Sequence, residues 1–176
     1  MKIPTLETER LRLRPHRPED LADCTAMWAD ASVTRYIGGR PFSREEVWAR
    51  LLRYAGHWRW MGYGFWVIEE RSSERFVGEI GLADFKRDME PPLNIVPEAG
   101  WALAPRAHGH GFATEALLKV ASWNDLRTAG SLTCVIHPDN SASIKVAAKC
   151  GFKEARRTFY KGALTSIFIR PSRTAE

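Results

Sequence analysis

The 176-residue chain has only three cysteines, Cys24, Cys134 and Cys150, and no CxxC pair. An odd and widely spaced set excludes a disulfide framework and fits a reducing compartment. No apolar run approaches the ~18 residues of a membrane span. The opening MKIPTLETERLRLRP has no signal-type apolar core. These absences predict a cytoplasmic protein with no membrane partner. There is no internal repeat and no low-complexity segment. The polar stretch Asp88–Pro92 is the nearest thing to an interruption and is too short for a linker. One domain over residues 1–176 is therefore expected. Two nucleotide signatures are also missing. No GxxxxGK[ST] occurs, and after Gly109 and Gly111 the third glycine of a GxGxxG loop is replaced by Thr114. That argues against a P-loop and against a dinucleotide fold.

The apolar and charged fractions, 44% and 27%, are those of an ordinary globular domain. Seven Trp and eight Phe promise a substantial core. The formal charge of +5 favours anionic partners, either nucleic acid or a small polyphosphate. Arg10, Arg12, Arg14 and Arg17 form the most basic run, with Leu11 and Leu13 between them. That alternation reads as a strand with one solvated face. No aromatic residues interleave as a stacking surface would need, so no nucleic-acid partner is expected.

Residues 10–15 read as the first strand. Pro18-Glu-Asp20 opens a helix carrying Leu21, Cys24 and Met27. Ser43-Arg-Glu-Glu46 is a capping box before a helix with Val47, Leu51 and Tyr54 on one face. Phe65–Ile68 and Phe76–Leu82 are strands. A third begins at Glu98 and is stopped by Pro105. A helix carrying Ala113, Ala116, Leu117, Val120 and Ala121 follows, then a buried strand over 132–137. Asn140–Cys150 is a helix ended by Gly151, and two final strands lie near 153–160 and 163–169. Strand, two helices, three strands, helix, strand, helix and two strands predict an α+β fold, a mixed sheet covered by helices.

Between the third of these middle strands and its helix lies Arg106-Ala-His-Gly-His-Gly111. Glycines without Cβ atoms let the backbone bend and approach a ligand. The helix start behind them offers unpaired N–H groups and a positive dipole end. Arg106, His108 and His110 add charge or hydrogen bonds. Together these features make a pyrophosphate cradle. A plain turn would explain a bare GxG but not this strand–loop–helix setting. His108 and His110 lack a third ligand at metal spacing, so no metal is expected.

The loop resembles the acetyl-coenzyme A signature R/Q-x-x-G-x-G/A of the GNAT N-acetyltransferase superfamily. Arg106, Gly109 and Gly111 stand at its defined positions, and Phe112–Ala116 resembles the start of that family's helix. His137-Pro-Asp-Asn-Ser-Ala-Ser143, with Gly151-Phe152, resembles the family's later coenzyme segment. Leu6–Arg14 and Gly78–Leu82 are similar to the RimJ/RimL branch, which acetylates N-terminal amines of ribosomal proteins. The resemblance spans nearly the whole chain in order. It implies the GNAT fold, a twisted and mostly antiparallel mixed sheet flanked by helices. It also implies acetyl transfer from acetyl-CoA to a primary amine, by direct attack in a ternary complex.

On this resemblance Trp101, Ala102, Leu103, Arg106, Ala107, His108, Gly109, His110, Gly111, Phe112, Ala113, Asn140, Ser143 and Lys149 hold the cofactor, with Lys145 beside them. Leu103 N–H is the expected oxyanion donor. Glu98 is the leading base and also faces the acceptor, and Glu79 is second. Asn140 caps its helix. Many relatives carry a tyrosine acid where this chain has Ala147, so Ser143 is the expected acid, with Tyr160 or water as alternatives. Tyr36 is the expected acceptor-side aromatic, while Trp28, Trp58 and Trp60 are mostly core. The acceptor is a protein N-terminus or a small amine, and the resemblance leaves room for a homodimer. Two rivals remain: a non-catalytic acyl-CoA sensor and a basic nucleic-acid module.

Overall fold

The computed structural model describes residues 3–95, 97–128 and 130–172. Its frame is one eight-stranded sheet in the order β1-β2-β3-β4-β5-β6-β8-β7. The strands are β1 Leu6–Glu7, β2 Leu11–Arg14, β3 Phe65–Glu70, β4 Phe76–Ala83, β5 Glu98–Leu103, β6 Leu132–Ile136, β7 Lys153–Tyr160 and β8 Ala163–Arg170. The helices are α1 Leu21–Trp28, α2 Ala31–Thr34, α3 Arg44–Met61, α4 Phe112–Thr128 and α5 Ser141–Lys149. Every strand pair is antiparallel except β5–β6. The expected mixed α+β sheet flanked by helices is thus observed.

Local chemistry explains the long elements. Ser43 N–H donates to Glu46 Oε2 at 2.8 Å, and Glu46 N–H donates to Ser43 Oγ at 3.2 Å, closing the capping box of α3. Two orphan donors at a helix start are satisfied at once. Asn140 Oδ1 accepts Ser143 N–H at 3.1 Å and caps α5. Two short elements escaped the sequence pattern. The two-residue β1 is too short to alternate. The four-residue α2, capped by Asp30 accepting from Ser32 N–H at 2.8 Å, is too short for helical periodicity.

Strand alternation splits the core into two layers. On β3, Trp66 and Ile68 face α4, where they pack with Leu117, Val120 and Ala121. Val67 faces the other way, toward Cys24, Met27 and Trp28 of α1 and Val47 and Leu51 of α3. Trp58 completes an edge-on aromatic group with Trp66 and Trp123, at centroid distances of 4.7 and 5.8 Å. Of the tryptophans expected to be mostly core, Trp28 and Trp58 are buried, whereas Trp60 is 87% exposed on the solvent side of α3. The expected first strand shortens to Leu11–Arg14. Its arginines are not simply solvated: Arg14 is held by Asp20 at 2.7 Å and Glu69 at 2.6 Å, and Arg12 by Glu7 at 3.3 Å. Each of these charges is met within the fold.

One irregularity positions the site. β5 and β6 pair only at Glu98 and Thr133. Beyond that point the strands diverge, and α4 and α5 begin on either side of the gap.

Candidate active site

The gap exposes one edge of β5. Ala104 N–H is bonded to Val77 O of β4 at 2.9 Å. In an antiparallel pair the bonding direction alternates by residue. The N–H groups of Trp101 and Leu103 therefore point to the edge that β6 has left.

Two contiguous cavities of about 460 and 440 Å³ share this edge. The second is lined by Trp101, Ala102, Leu103, Ala107, His108, Gly109, Gly111, Phe112, Ala113, Asn140, Ser143, Lys145 and Lys149, all expected at the cofactor. The first contains Glu79, Glu98, Trp28, Tyr54 and Tyr160. Tyr36, Trp101, Ala102, Asn140 and Ser143 line both, so they mark the junction.

The cradle at the far end of the second cavity is built from backbone. Gly109 and Gly111 both have φ of +79°, a left-handed conformation that side-chain-bearing residues rarely take. The first bond of α4 runs from Glu115 N–H to Gly111 O at 3.1 Å. The N–H groups from Gly109 to Thr114 precede it and have no acceptor among the described residues. Such a run at a helix start fits a pyrophosphate. Lys145 and Lys149 add charge on the opposite wall.

The loop's own side chains do different work from that expected. Arg106 Nη2 donates to Phe76 O at 2.7 Å, His108 Nε2 to Leu103 O at 2.8 Å, and His110 Nδ1 to His108 O at 2.8 Å. Arg106 and His110 do not line the second cavity. Carbonyls left over where the strand ends need donors, and these side chains supply them. They shape the loop and leave the cavity to the backbone.

The sequence reading missed Arg10 as a brace of this loop. Its Nη1 donates to His110 O at 2.9 Å, its guanidinium pairs with Glu115 at 2.6 Å, and it lies 4.8 Å from the Phe112 ring centroid. Glu115 also accepts from Thr8 Oγ1 at 2.5 Å. The contacts span some hundred residues, so only the alternation of Arg10 with Leu11 was visible locally. Replacing Arg10 by methionine keeps a long apolar stem and removes the fork. It is expected to raise the dissociation constant for acetyl-CoA about fivefold to twentyfold, since a charge-assisted bond contributes about 1.5–3 kcal/mol and part is recovered by solvent. Calorimetric titration checks this, and unchanged affinity would remove Arg10 from the cradle.

In the first cavity the two carboxylates differ. Glu98, the expected leading base, is clamped by Arg87 through two bonds of 2.7 Å. It stands opposite Ala83, at the end of β5 where β6 still pairs. Glu79 stands opposite Ala102 at the junction. Its side chain is fully buried yet reaches the cavity wall. It accepts from His16 Nε2 at 2.9 Å, Trp28 Nε1 at 2.7 Å and Cys24 Sγ at 3.3 Å. Burial alone would raise its pKa, but the His16 and Trp28 bonds and the Arg50 charge outweigh it and hold the carboxyl below its ordinary value. Gly78, just before it, lets β4 and β5 close up, because a Cβ there would sit 2.3 Å from Ala102 O. His16, Cys24 and Glu79 form the one trio of metal-capable side chains found among the described residues, and their contacts are hydrogen bonds.

Ser143 lies at the junction, one turn before Ala147. Ala147 is fully buried and packs in the core layer with α4. Tyr36 packs 5.2 Å from the His137 ring. Tyr160 lines the first cavity, as Glu79 does.

Unpaired backbone N–H groups at a helix start, an exposed strand edge leading from them and a second cavity with carboxylates fit a group-transfer protein whose carrier bears phosphate. The chain belongs to the acetyltransferase (GNAT) domain family, whose model matches residues 10–153, and it is an acetyl-CoA-dependent acetyltransferase. It is 31% identical over 157 residues to an uncharacterized N-acetyltransferase, YoaA, of Bacillus subtilis, covering 86% of this chain and 84% of that one. A GNAT-family acetyltransferase structure from Bordetella pertussis superposes with a TM-score of 0.83 at 26% identity, covering 96% and 99% of the two chains. At 15% identity the fold is shared with the ribosomal L7/L12 alpha-N-protein acetyltransferase RimL in complex with coenzyme A, TM-score 0.78, covering 96% and 98%. At 17% it is shared with the spermidine N-acetyltransferase of Vibrio cholerae, TM-score 0.73, covering 94% and 97%.

Proposed function

We propose that the chain moves an acetyl group from acetyl-CoA to the primary amine of a protein N-terminus or a small molecule, by direct attack with both substrates bound. The observation that carries this reading is the junction, where Ala102, Asn140 and Ser143 wall both cavities and Glu79 lies across from Ala102. A carrier lying along β5 would bring its thioester there. The acceptor would enter from the other side.

Acetyl-CoA supplies a thioester-activated acetyl group. The protein's part is positional and electrostatic. The N–H groups from Gly109 to Thr114 hold the pyrophosphate, and Lys145 and Lys149 face it. Leu103 N–H donates to the carbonyl oxygen as charge develops there. Glu79 takes the proton of the attacking amine, directly or through water, in preference to Glu98. An α-amino group titrates near 7.7–8.0, so only modest basicity is needed. As the C–N bond forms and the C–S bond breaks, Ser143 Oγ–H donates to the leaving sulfur. Tyr36 closes the acceptor side. The resemblance to the RimJ/RimL branch supports a protein N-terminus, and the spermidine enzyme's fold keeps a small amine in view.

The test is thiol release from acetyl-CoA in the presence of amines and peptides. Release that requires an acceptor is the expected result. Tight acetyl-CoA binding without turnover on any acceptor would instead mean a sensor. Within this assay Ser143→Ala should lower kcat about tenfold to a hundredfold, with acetyl-CoA affinity within a factor of two or three. Equal losses in affinity and kcat would make Ser143 a binding residue only.

A further inference from the structure

The acceptor cavity carries more positive charge than its own carboxylates balance. Its walls include Arg50, Arg53, Arg87 and Lys161 against two carboxylates, Glu79 and Glu98. Both carboxylates already have hydrogen-bond partners, Glu98 in Arg87 and Glu79 in His16, Trp28 and Cys24, and Arg50 acts on Glu79 only through its field. No carboxylate among the described residues lies within ion-pair distance of Arg50 or Arg53, whereas Arg10, Arg12, Arg14, Arg40, Arg87, Arg157 and Arg170 are each paired. The unmatched charge of the cavity is therefore positive.

Arg50 is also held in place. Its guanidinium lies 4.1 Å from the Trp28 ring centroid and 5.0 Å from that of Phe42. Its Nη1 donates to Tyr54 Oη at 3.2 Å. The bond to a phenol leaves the other edge of the fork free. Tyr54 is itself fixed by stacking on Phe65 at 4.4 Å. Arg53 follows one turn later on α3, 5.5 Å from the Phe85 ring. Part of its side chain reaches solvent, yet desolvation and then the charge of Arg50 lower its affinity for its proton. A fixed, planar donor pair next to a second arginine is the arrangement that recognises a carboxylate.

We propose that the acceptor is an amine bearing a carboxylate of its own, and that Arg50 and Arg53 bind that carboxylate while the nitrogen sits at the junction. The proposal rests on the acetyltransferase reading above and narrows its acceptor class. The carboxylate belongs either to an acidic residue at or near a peptide N-terminus or to a free acidic amino acid. The same positive field repels polyamines and lysine-rich termini. It also disfavours the ammonium form of any bound acceptor, which favours the neutral nucleophile.

The test compares glutamyl-alanyl-alanine amide, its glutaminyl and lysyl counterparts, free glutamate and spermidine as acceptors. The glutamyl peptide should show a KM about tenfold or more below the glutaminyl one, and free glutamate separates a small-molecule acceptor from a peptide one. Arg53→Gln, at the rim where folding is least at risk, and Arg50→Lys should each remove most of that preference. Acetyl-CoA affinity should stay the same. A second measurement does not depend on turnover. N-acetyl-glutamyl-alanyl-alanine amide should bind the coenzyme A-loaded protein about tenfold more tightly than its glutaminyl analogue, and Arg53→Gln should abolish the difference. Absence of thiol release with every acceptor would defeat the acetyltransferase reading but leave the binding comparison decisive. Equal binding of the two product peptides, preferred use of spermidine or the lysyl peptide, or a preference that survives both substitutions would overturn the proposal.

Discussion

Replacing Glu79 by glutamine is expected to lower kcat by about 10²–10⁴-fold, the usual contribution of a positioned general base. Glutamine keeps the shape and one acceptor oxygen but loses the charge that receives the proton. Its amide also turns a donor toward the cage of His16, Trp28 and Cys24, all of which donate to the native carboxylate. A loss of about 1–3 kcal/mol of stability should accompany the rate effect, because a buried donor loses its partner. The two effects separate by kinetics below the melting temperature and a denaturant curve.

The pH dependence follows from the direction of the shift. Glu79 is held below its ordinary value in the folded protein. Its stabilising contribution is then fully present above the unfolded value, about 4.3, and is lost as pH falls through the depressed folded value. Wild-type stability should drop on that acid side, and Glu79→Gln should flatten the drop. Because Glu79 stays ionised through neutrality, the rise of kcat/KM with pH should report the acceptor amine instead. Glu98→Gln is the control. It frees the half-buried Arg87 from its clamp, so it should cost stability and acceptor KM more than kcat. A hundredfold fall in kcat for Glu98→Gln, with Glu79→Gln nearly active, would move the base to Glu98.

Gly111→Val is expected to weaken acetyl-CoA binding about tenfold to a hundredfold, the equivalent of about 1–3 kcal/mol of backbone strain. Crowding is not the cause. A Cβ at Gly111 would meet only Arg10 Nη2, at 3.5 Å, an ordinary contact. The cause is φ of +79°, which a β-branched residue adopts only under strain. The chain then either pays that strain in both states or relaxes and turns the N–H groups of 109–114 away from the ligand. Only relaxation lowers affinity without lowering the melting temperature of the free protein. Calorimetry and thermal unfolding on the same sample distinguish them, and an unchanged dissociation constant would mean that the phosphates bind elsewhere.

Features set by neighbours in the chain were legible before the structure. Ser43 and Glu46 are three residues apart, and their reciprocal bonds follow from that spacing alone. Asn140 and Ser143 share that spacing, and there a single bond from Ser143 N–H to Asn140 Oδ1 caps the helix. The stop at Pro105, the two glycines and the helix behind them lie within a dozen residues, so the shape of the loop could be read directly. The amphipathic face of α3 gave its buried residues, Val47, Leu51 and Tyr54. Elements of two to four residues, β1 and α2, carry too few positions for a period to show.

The first cavity was legible only in part, since its geometry depends on which segments the sheet order makes neighbours. Both acids were visible as candidates. Nothing near Glu79 in sequence says that His16 and Trp28 will donate to it, and nothing near Glu98 says that Arg87 will bind it in a fork. The β4–β5 register places Glu79 across from Ala102 and Glu98 across from Ala83, and that offset separates a residue at the junction from one at the end of the strand. The sequence by itself determined the strand–glycine loop–helix unit, the helix caps of α3 and α5 and the family, because these depend on short spacings and backbone conformation. Tertiary structure alone decided which carboxylate meets the junction, which arginines remain unmatched and what Arg10 holds, because burial and ion pairing are settled between residues tens to a hundred positions apart.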